Sequence, residues 1–282
     1  MTTATISPRS SKVKFRLVGG AQPLILLPVL VDGRGPLDFI LDTGAGTSLL
    51  SSELAKELHV QILGSKEGQS AGGKVAVSLA TVDSLVVGET KLEDVDVGVV
   101  DLSQIGKAIG AKIAGDLGYN FLKYFRVTID YRDCEIWFED PKRVESFARG
   151  AYTEIPIRLA NSAKPLVLAD AHANGRGPFQ FAIDTGTSTT AISPELANQL
   201  GVESSPVGAG TTGGVPVDFS AGSLQSFQLG GAKIDNMAVV VADFFTMLNA
   251  AIGANLDGIV GYNFLRNYKV VIDYPRETLT LF

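Results

Sequence analysis

Apolar and polar positions alternate in short runs along most of the chain, and glycine repeatedly closes those runs. That period of two predicts strands, while the glycine-bounded breaks predict tight hairpins rather than long helices. Two such runs, LILLPVLVDG from Leu24 and LVLADAHANG from Leu166, each lead into Gly-Arg-Gly-Pro, a turn composition, and then into a second apolar run. Each second run ends in an aspartate, Asp42 or Asp184. SSELAKELHV and SPELANQLGV follow and read as short helices. Ser193 fits an N-cap, Pro194 the first helical position and Gly201 the C-terminal cap. Further on, Ile105, Ile109 and Ile113 recur every four residues and predict a core-facing helical stripe.

These patterns recur because the chain is one unit written twice. GRGPLDFILDTGAGTSLLS is answered by GRGPFQFAIDTGTSTTAIS, with the aspartates 142 residues apart, and GYNFLKYFRVTIDY is answered by GYNFLRNYKVVIDY. LVVGETKLEDVDVGVVD pairs in the same way with FQLGGAKIDNMAVVVAD, each reading as strand, glycine turn, strand. The expected organisation is a lobe over 13–138, a charged linker over 139–151 and a second lobe over 152–282.

Composition narrows the possibilities. A 45% hydrophobic content with 31 glycines among 282 residues excludes a disordered chain and supports a packed β-rich one. The net charge of -6, with no basic cluster, argues against a nucleic-acid partner. With Cys134 alone there is no internal disulfide, and with only His59 and His172 there is neither a zinc-ligand spacing nor a Ser-His-Asp triad. GAGTTG from Gly208 has the glycine spacing of a dinucleotide loop, but alternating Val215, Val217 and Phe219 follow it, so a strand stands where that motif needs a helix. No apolar run is long enough for a membrane span. The first twenty residues lack the apolar core of a secretory signal. The expectation is a soluble chain, cytoplasmic as it stands and periplasmic or secreted if a leader has been removed.

A carboxylate at the end of an apolar strand needs hydrogen bonds to remain there. In Asp-Thr-Gly the glycine lets an amide turn back toward it, and the threonine adds a hydroxyl that fixes the loop. Brought together about a pseudo-twofold axis, Asp42 and Asp184 would share a proton, making one a base and the other an acid. Thr187, with Ala45 as its counterpart, predicts Asp184 as the more readily ionised member.

Asp-Thr-Gly-Ala at Asp42 to Ala45 resembles the retroviral form of an aspartyl protease motif, and Asp-Thr-Gly-Thr at Asp184 to Thr187 the cellular pepsin form. GIVG from Gly258 is similar to the apolar-apolar-Gly segment of the same superfamily. The chain thus resembles the retropepsin-like aspartyl proteases in tandem single-chain form. The resemblance implies a mostly β fold of two homologous closed lobes with short helices, related by a pseudo-twofold, with the active-site cleft between them. It further implies an aspartic endopeptidase with Asp42 and Asp184 as catalytic pair. Thr43, Gly44, Ala45, Thr185, Gly186 and Thr187 would support their loops, and Gly72, Gly73, Gly213 and Gly214 would tip two substrate-covering flaps. A peptide or protein is the implied substrate, no metal or cofactor is called for, and a monomer would act as a pseudo-dimer. Two alternatives stay open: a catalytically silent peptide-binding module, and a homodimer with interchain dyads. One departure stands out, because GDLG from Gly115 puts Asp116 where the family has an apolar residue.

Overall fold

The computed structural model describes residues 6–7, 10–70, 73–142, 153–162, 165–212 and 215–282. Strands dominate, and each half of the chain closes six of them into a ring. In the first half the ring runs through Arg34–Leu41, Leu24–Val31, Gly73–Val87, Thr90–Val100, Leu49–Ser51 and Gly115–Leu117, which pairs back onto Arg34–Leu41. The second half repeats the circuit through Arg176–Ile183, Val167–Ala173, Val215–Leu229, Ala232–Ala242, Ala191–Ile192 and Gly258–Val260. Closure removes the unpaired edges that an open sheet of this size would expose.

Local chemistry sets the joints. Val31 pairs with Arg34 and Ala173 with Arg176, so the first hairpins turn on Asp32-Gly33 and Asn174-Gly175. All four turn residues have positive φ, between 50° and 77°. Asp-Gly and Asn-Gly suit that turn, whose twist matches the flanking strands. Gly-Arg-Gly-Pro therefore lies one step later than a turn, with its arginine already in the second strand. The helices Ser52–Glu57 and Pro194–Leu200 are capped by Ser51 and Ser193, whose hydroxyls accept from the N–H groups of Leu54 and Leu196. The isoleucine stripe is only partly helical. Gly110, at φ 70°, ends the helix Ser103–Ile109, and Ile113 joins Ile105 and Ile109 in one apolar cluster from the loop beyond.

A third sheet ties the halves together. Its order is Thr153–Pro156, Thr278–Leu281, Lys269–Asp273, Arg126–Asp130, Glu135–Glu139 and Ser11–Lys14. Three strands come from each half, and the central pairing sets Thr128 opposite Val271. Val127, Ile129, Ile136, Phe138, Val270, Ile272, Leu279 and Leu281 are fully buried and continue the core of both rings. Phe121, Phe125 and Phe138 pack there with ring centroids 5.5–5.8 Å apart. Emptying one of these ring positions costs about 3–5 kcal/mol, which makes this core the fixed frame on which the loops are held. Residues 143–152, most of the expected linker, lie outside the described residues, so the lobe limits rest on the repeat. Among the described residues, no helix is long and apolar enough to cross a membrane.

Candidate active site

The two Asp-Thr-Gly turns leave the ends of the strands Arg34–Leu41 and Arg176–Ile183. Strand pairing extends one residue into each loop, because the N–H of Asp42 donates to Leu117 O at 3.1 Å and that of Asp184 to Val260 O at 3.0 Å. Each carboxylate is then met by its own loop. Gly44 N–H (2.7 Å) and Ala45 N–H (3.0 Å) donate to Asp42 Oδ1. Gly186 N–H donates to Asp184 Oδ1 at 2.8 Å, and the Thr187 hydroxyl donates to Asp184 Oδ2 at 2.9 Å.

The loops face one another across the lobe interface. A Cβ added to Gly44 would lie 2.7 Å from the carboxyl carbon of Asp184, and one added to Gly186 would lie 2.7 Å from that of Asp42. Only glycine admits so close an approach. The carboxyls of Asp42 and Asp184 are thus brought close enough for the charge of Asp42 to act on Asp184. Thr43 and Thr185 lock this arrangement from below. Each hydroxyl accepts from the other threonine's N–H at 3.1 Å and donates at 2.8 Å to the carbonyl preceding the opposite aspartate, Ile183 O or Leu41 O. The sequence suggested that these hydroxyls brace their own loops; they brace the opposite ones.

The repeated Gly-Tyr-Asn-Phe-Leu segment clamps each loop through its asparagine, whose part no local pattern reveals. Asn120 Oδ1 accepts from the N–H (2.7 Å) and hydroxyl (2.8 Å) of Ser48, whose oxygen in turn accepts from Gly118 N–H. Asn263 does the same for Thr190, at 2.8 Å for both bonds. The tyrosines of this segment pack across the halves, Tyr119 on Tyr274 and Tyr262 on Tyr131, with centroids 5.7 and 5.5 Å apart. The hydroxyls of Tyr131 and Tyr274 are sealed without a hydrogen-bond partner among the described residues, and burial pushes both upward, so they remain neutral.

Burial first, and the charge of Asp42 next, raise Asp184 to about 8, even though the Thr187 hydroxyl and Gly186 amide pull the other way. The pair therefore holds a proton at neutral pH. Asp116 is also drawn in. It lies in the strand Gly115–Leu117, 7% exposed, and its register opposite Ile40 puts its side chain on the same face as that of Asp42, two residues on. Burial, then Asp42 and Asp184, hold it well above the ordinary carboxylate range.

The remaining candidates separate from this centre. Gly73 opens the strand that pairs Ser70 at the tip of the first long hairpin, while Gly72, Gly213 and Gly214 lie outside the described residues. The outer strand of that hairpin, Ile62–Ser70, lies against the helix Phe245–Ile252 of the other half. Phe244 and Phe245 stack at 4.7 Å in a buried cluster, and Met247 stays half exposed. His59 follows a helix end with φ 52° and His172 sits in a strand. Gly208 is within a strand, as the failed dinucleotide reading requires. A concavity of about 880 Å³ lies on the outer face of the shared sheet, among Arg126, Trp137 and Lys269, and includes none of the site residues. Among the described residues, no group of three or more His, Cys, Asp or Glu is arranged to hold a metal ion.

Two closed β lobes presenting a pair of aspartate turns to each other define a two-lobed, aspartate-centred protein. The family model described as "Aspartyl protease" matches residues 27–121 and again residues 169–264, one match in each half. The chain belongs to that family, in tandem form, and membership supports a protease in coarse terms. Among curated proteins none matches the chain.

Proposed function

We propose that the protein is an aspartic endopeptidase that hydrolyses peptide bonds with a water activated by Asp42 and Asp184. The observation that carries this reading is the mutual approach of Gly44 to the Asp184 carboxyl and of Gly186 to the Asp42 carboxyl. Asp184, protonated up to about 8, is the acid. Asp42, which accepts two loop amides, is the base. A water between them loses a proton to Asp42 as its oxygen attacks the peptide carbonyl carbon, and Asp184 donates to the developing oxyanion. Collapse breaks the C–N bond as the amine takes the proton from Asp42 and Asp184 recovers its own from a hydroxyl of the tetrahedral intermediate, which restores the dyad. This division of labour is the established one for aspartic protease dyads.

In this reading Thr43, Thr185, Ala45 and Thr187 hold the dyad, and hairpin tips including Gly72, Gly73, Gly213 and Gly214 cover the substrate. The lobes 13–138 and 152–282 act as a pseudo-dimer within a monomer. The test is hydrolysis of a mixed peptide library from acidic to mildly alkaline pH, with mass determined by light scattering on the same sample. Cleavage by a monomer supports the proposal. A folded wild type that binds library peptides without cleaving them supports the silent binding module instead.

A further inference from the structure

Asp116 stands one step from the dyad at a place prepared for it. In the first half it pairs with Ile40 on one side and Leu49 on the other. Its counterpart Ile259 pairs with Ala182 and Ala191. Two bulky residues flank a small acid in one lobe, and two alanines flank a bulky residue in the other. Each set fills its space, and exchanging only the central residue would overpack the first lobe and leave a void in the second.

Among the described residues the acid has no ionic partner. Asp116 Oδ1 is sealed from solvent and receives no hydrogen bond among the described residues. The strand Leu49–Ser51 carries no titratable side chain. On Arg34–Leu41, Arg34 is exposed and Asp38 is held by Arg16 at 2.7 Å. The titratable groups acting on Asp116 are Asp42 and Asp184. Two neighbouring carboxyls that face no cation among the described residues cost less with a proton between them than with both ionised. The same holds for Asp42 and Asp184, so Asp42 is the middle member of a row of three.

Resting on the dyad reading above, we infer that Asp116 is a positioning residue: a permanently neutral acid that donates to Asp42 and so fixes Asp42 as the base. The row holds two protons and one negative charge. That charge settles on the middle carboxyl, which accepts from both neighbours and from Gly44 and Ala45 N–H. Asp116 adds to the dyad a donor on the Asp42 side alone.

The test compares Asp116→Asn, which keeps a donor, with Asp116→Val, which removes it at similar bulk. With the donor gone, the acidic limb of the kcat/KM profile should move up by about 1–2 pH units, the worth of a hydrogen bond to a charged group. Asp116→Asn should restore most of that shift. Infrared difference spectra should show a protonated carboxyl at neutral pH that Asp116→Asn removes, a reading that needs no activity and decides the matter if the valine variant fails to fold. Unmoved or downward-moving limbs, or no carboxyl signal lost at neutral pH, would overturn the inference. The dyad reading fails separately, if Asp42→Asn or Asp184→Asn retains wild-type hydrolysis.

Discussion

Thr43 and Thr185 exchange hydrogen bonds across the pseudo-twofold axis, each N–H donating to the other's hydroxyl at 3.1 Å. Both are almost sealed, at 1% and 2% exposure. The exchange makes one loop's geometry a condition of the other's. Thr43→Val or Thr185→Val keeps the shape and strands a buried amide and a buried carbonyl, each costing about 1–3 kcal/mol. Both variants should melt earlier than wild type and lose kcat. Differential scanning calorimetry paired with steady-state kinetics checks this, and a valine variant with unchanged kcat would separate the threonines from dyad geometry.

Gly44→Ala and Gly186→Ala push a methyl group into the opposite carboxyl. The lobes keep their own cores, so the expected loss is chiefly in rate, by about 100-fold or more for a displacement near 1 Å. Unfolding curves and kcat measured on the same preparations test the split. A large fall in stability with kcat intact would contradict it.

The alkaline limb of the kcat/KM profile should lie near about 8, where Asp184 gives up its proton. Stability has a linked dependence. Asp184 and Asp116 hold protons in the folded state that the unfolded chain releases above about pH 4. Their contribution is thus complete below that pH and is lost as pH rises, toward about 8 for Asp184. Each group adds a slope of up to about 1.4 kcal/mol per pH unit within its window. Denaturant titrations at a series of pH values should show a shallower decline for Asp116→Asn than for wild type.

Asn120→Ala and Asn263→Ala unfasten the Asp loops from their short helices. Each leaves a buried hydroxyl and amide without an acceptor, at about 1–3 kcal/mol. Hydrogen exchange should quicken at Ser48 in the first variant and at Thr190 in the second, leaving the other lobe unchanged.

Much of this was legible in the sequence, for identifiable reasons. Alternation and paired glycine turns give the two β lobes, Ser193, Pro194 and Gly201 give one helix its ends, and the doubled Asp-Thr-Gly points to the proposed site. What stayed hidden depends on partners remote in sequence. The hydroxyls of Thr43 and Thr185 point across the axis, which no local pattern encodes. Ser48 and Thr190 find Asn120 and Asn263 more than 70 residues away. The raised proton affinity of Asp184 stayed hidden because a nearby Thr187 hydroxyl is visible in sequence while the burial of Asp184 is not. Asp116 was visible as an anomaly, but its contact with Asp42 emerges only from strand register.

Asp42 and Asp184 of one chain are proposed to act as a unit. The most direct test is kcat/KM for Asp42→Asn, Asp184→Asn and the double variant against one cleaved peptide. A shared dyad predicts that either single change lowers the rate by at least about 1000-fold and that the double is no slower, as for residues acting as a unit. In a homodimer pairing Asp42 with Asp42 and Asp184 with Asp184, each single variant would keep one intact dyad. Single variants that retain a substantial fraction of wild-type activity, with only the double variant dead, would contradict the account.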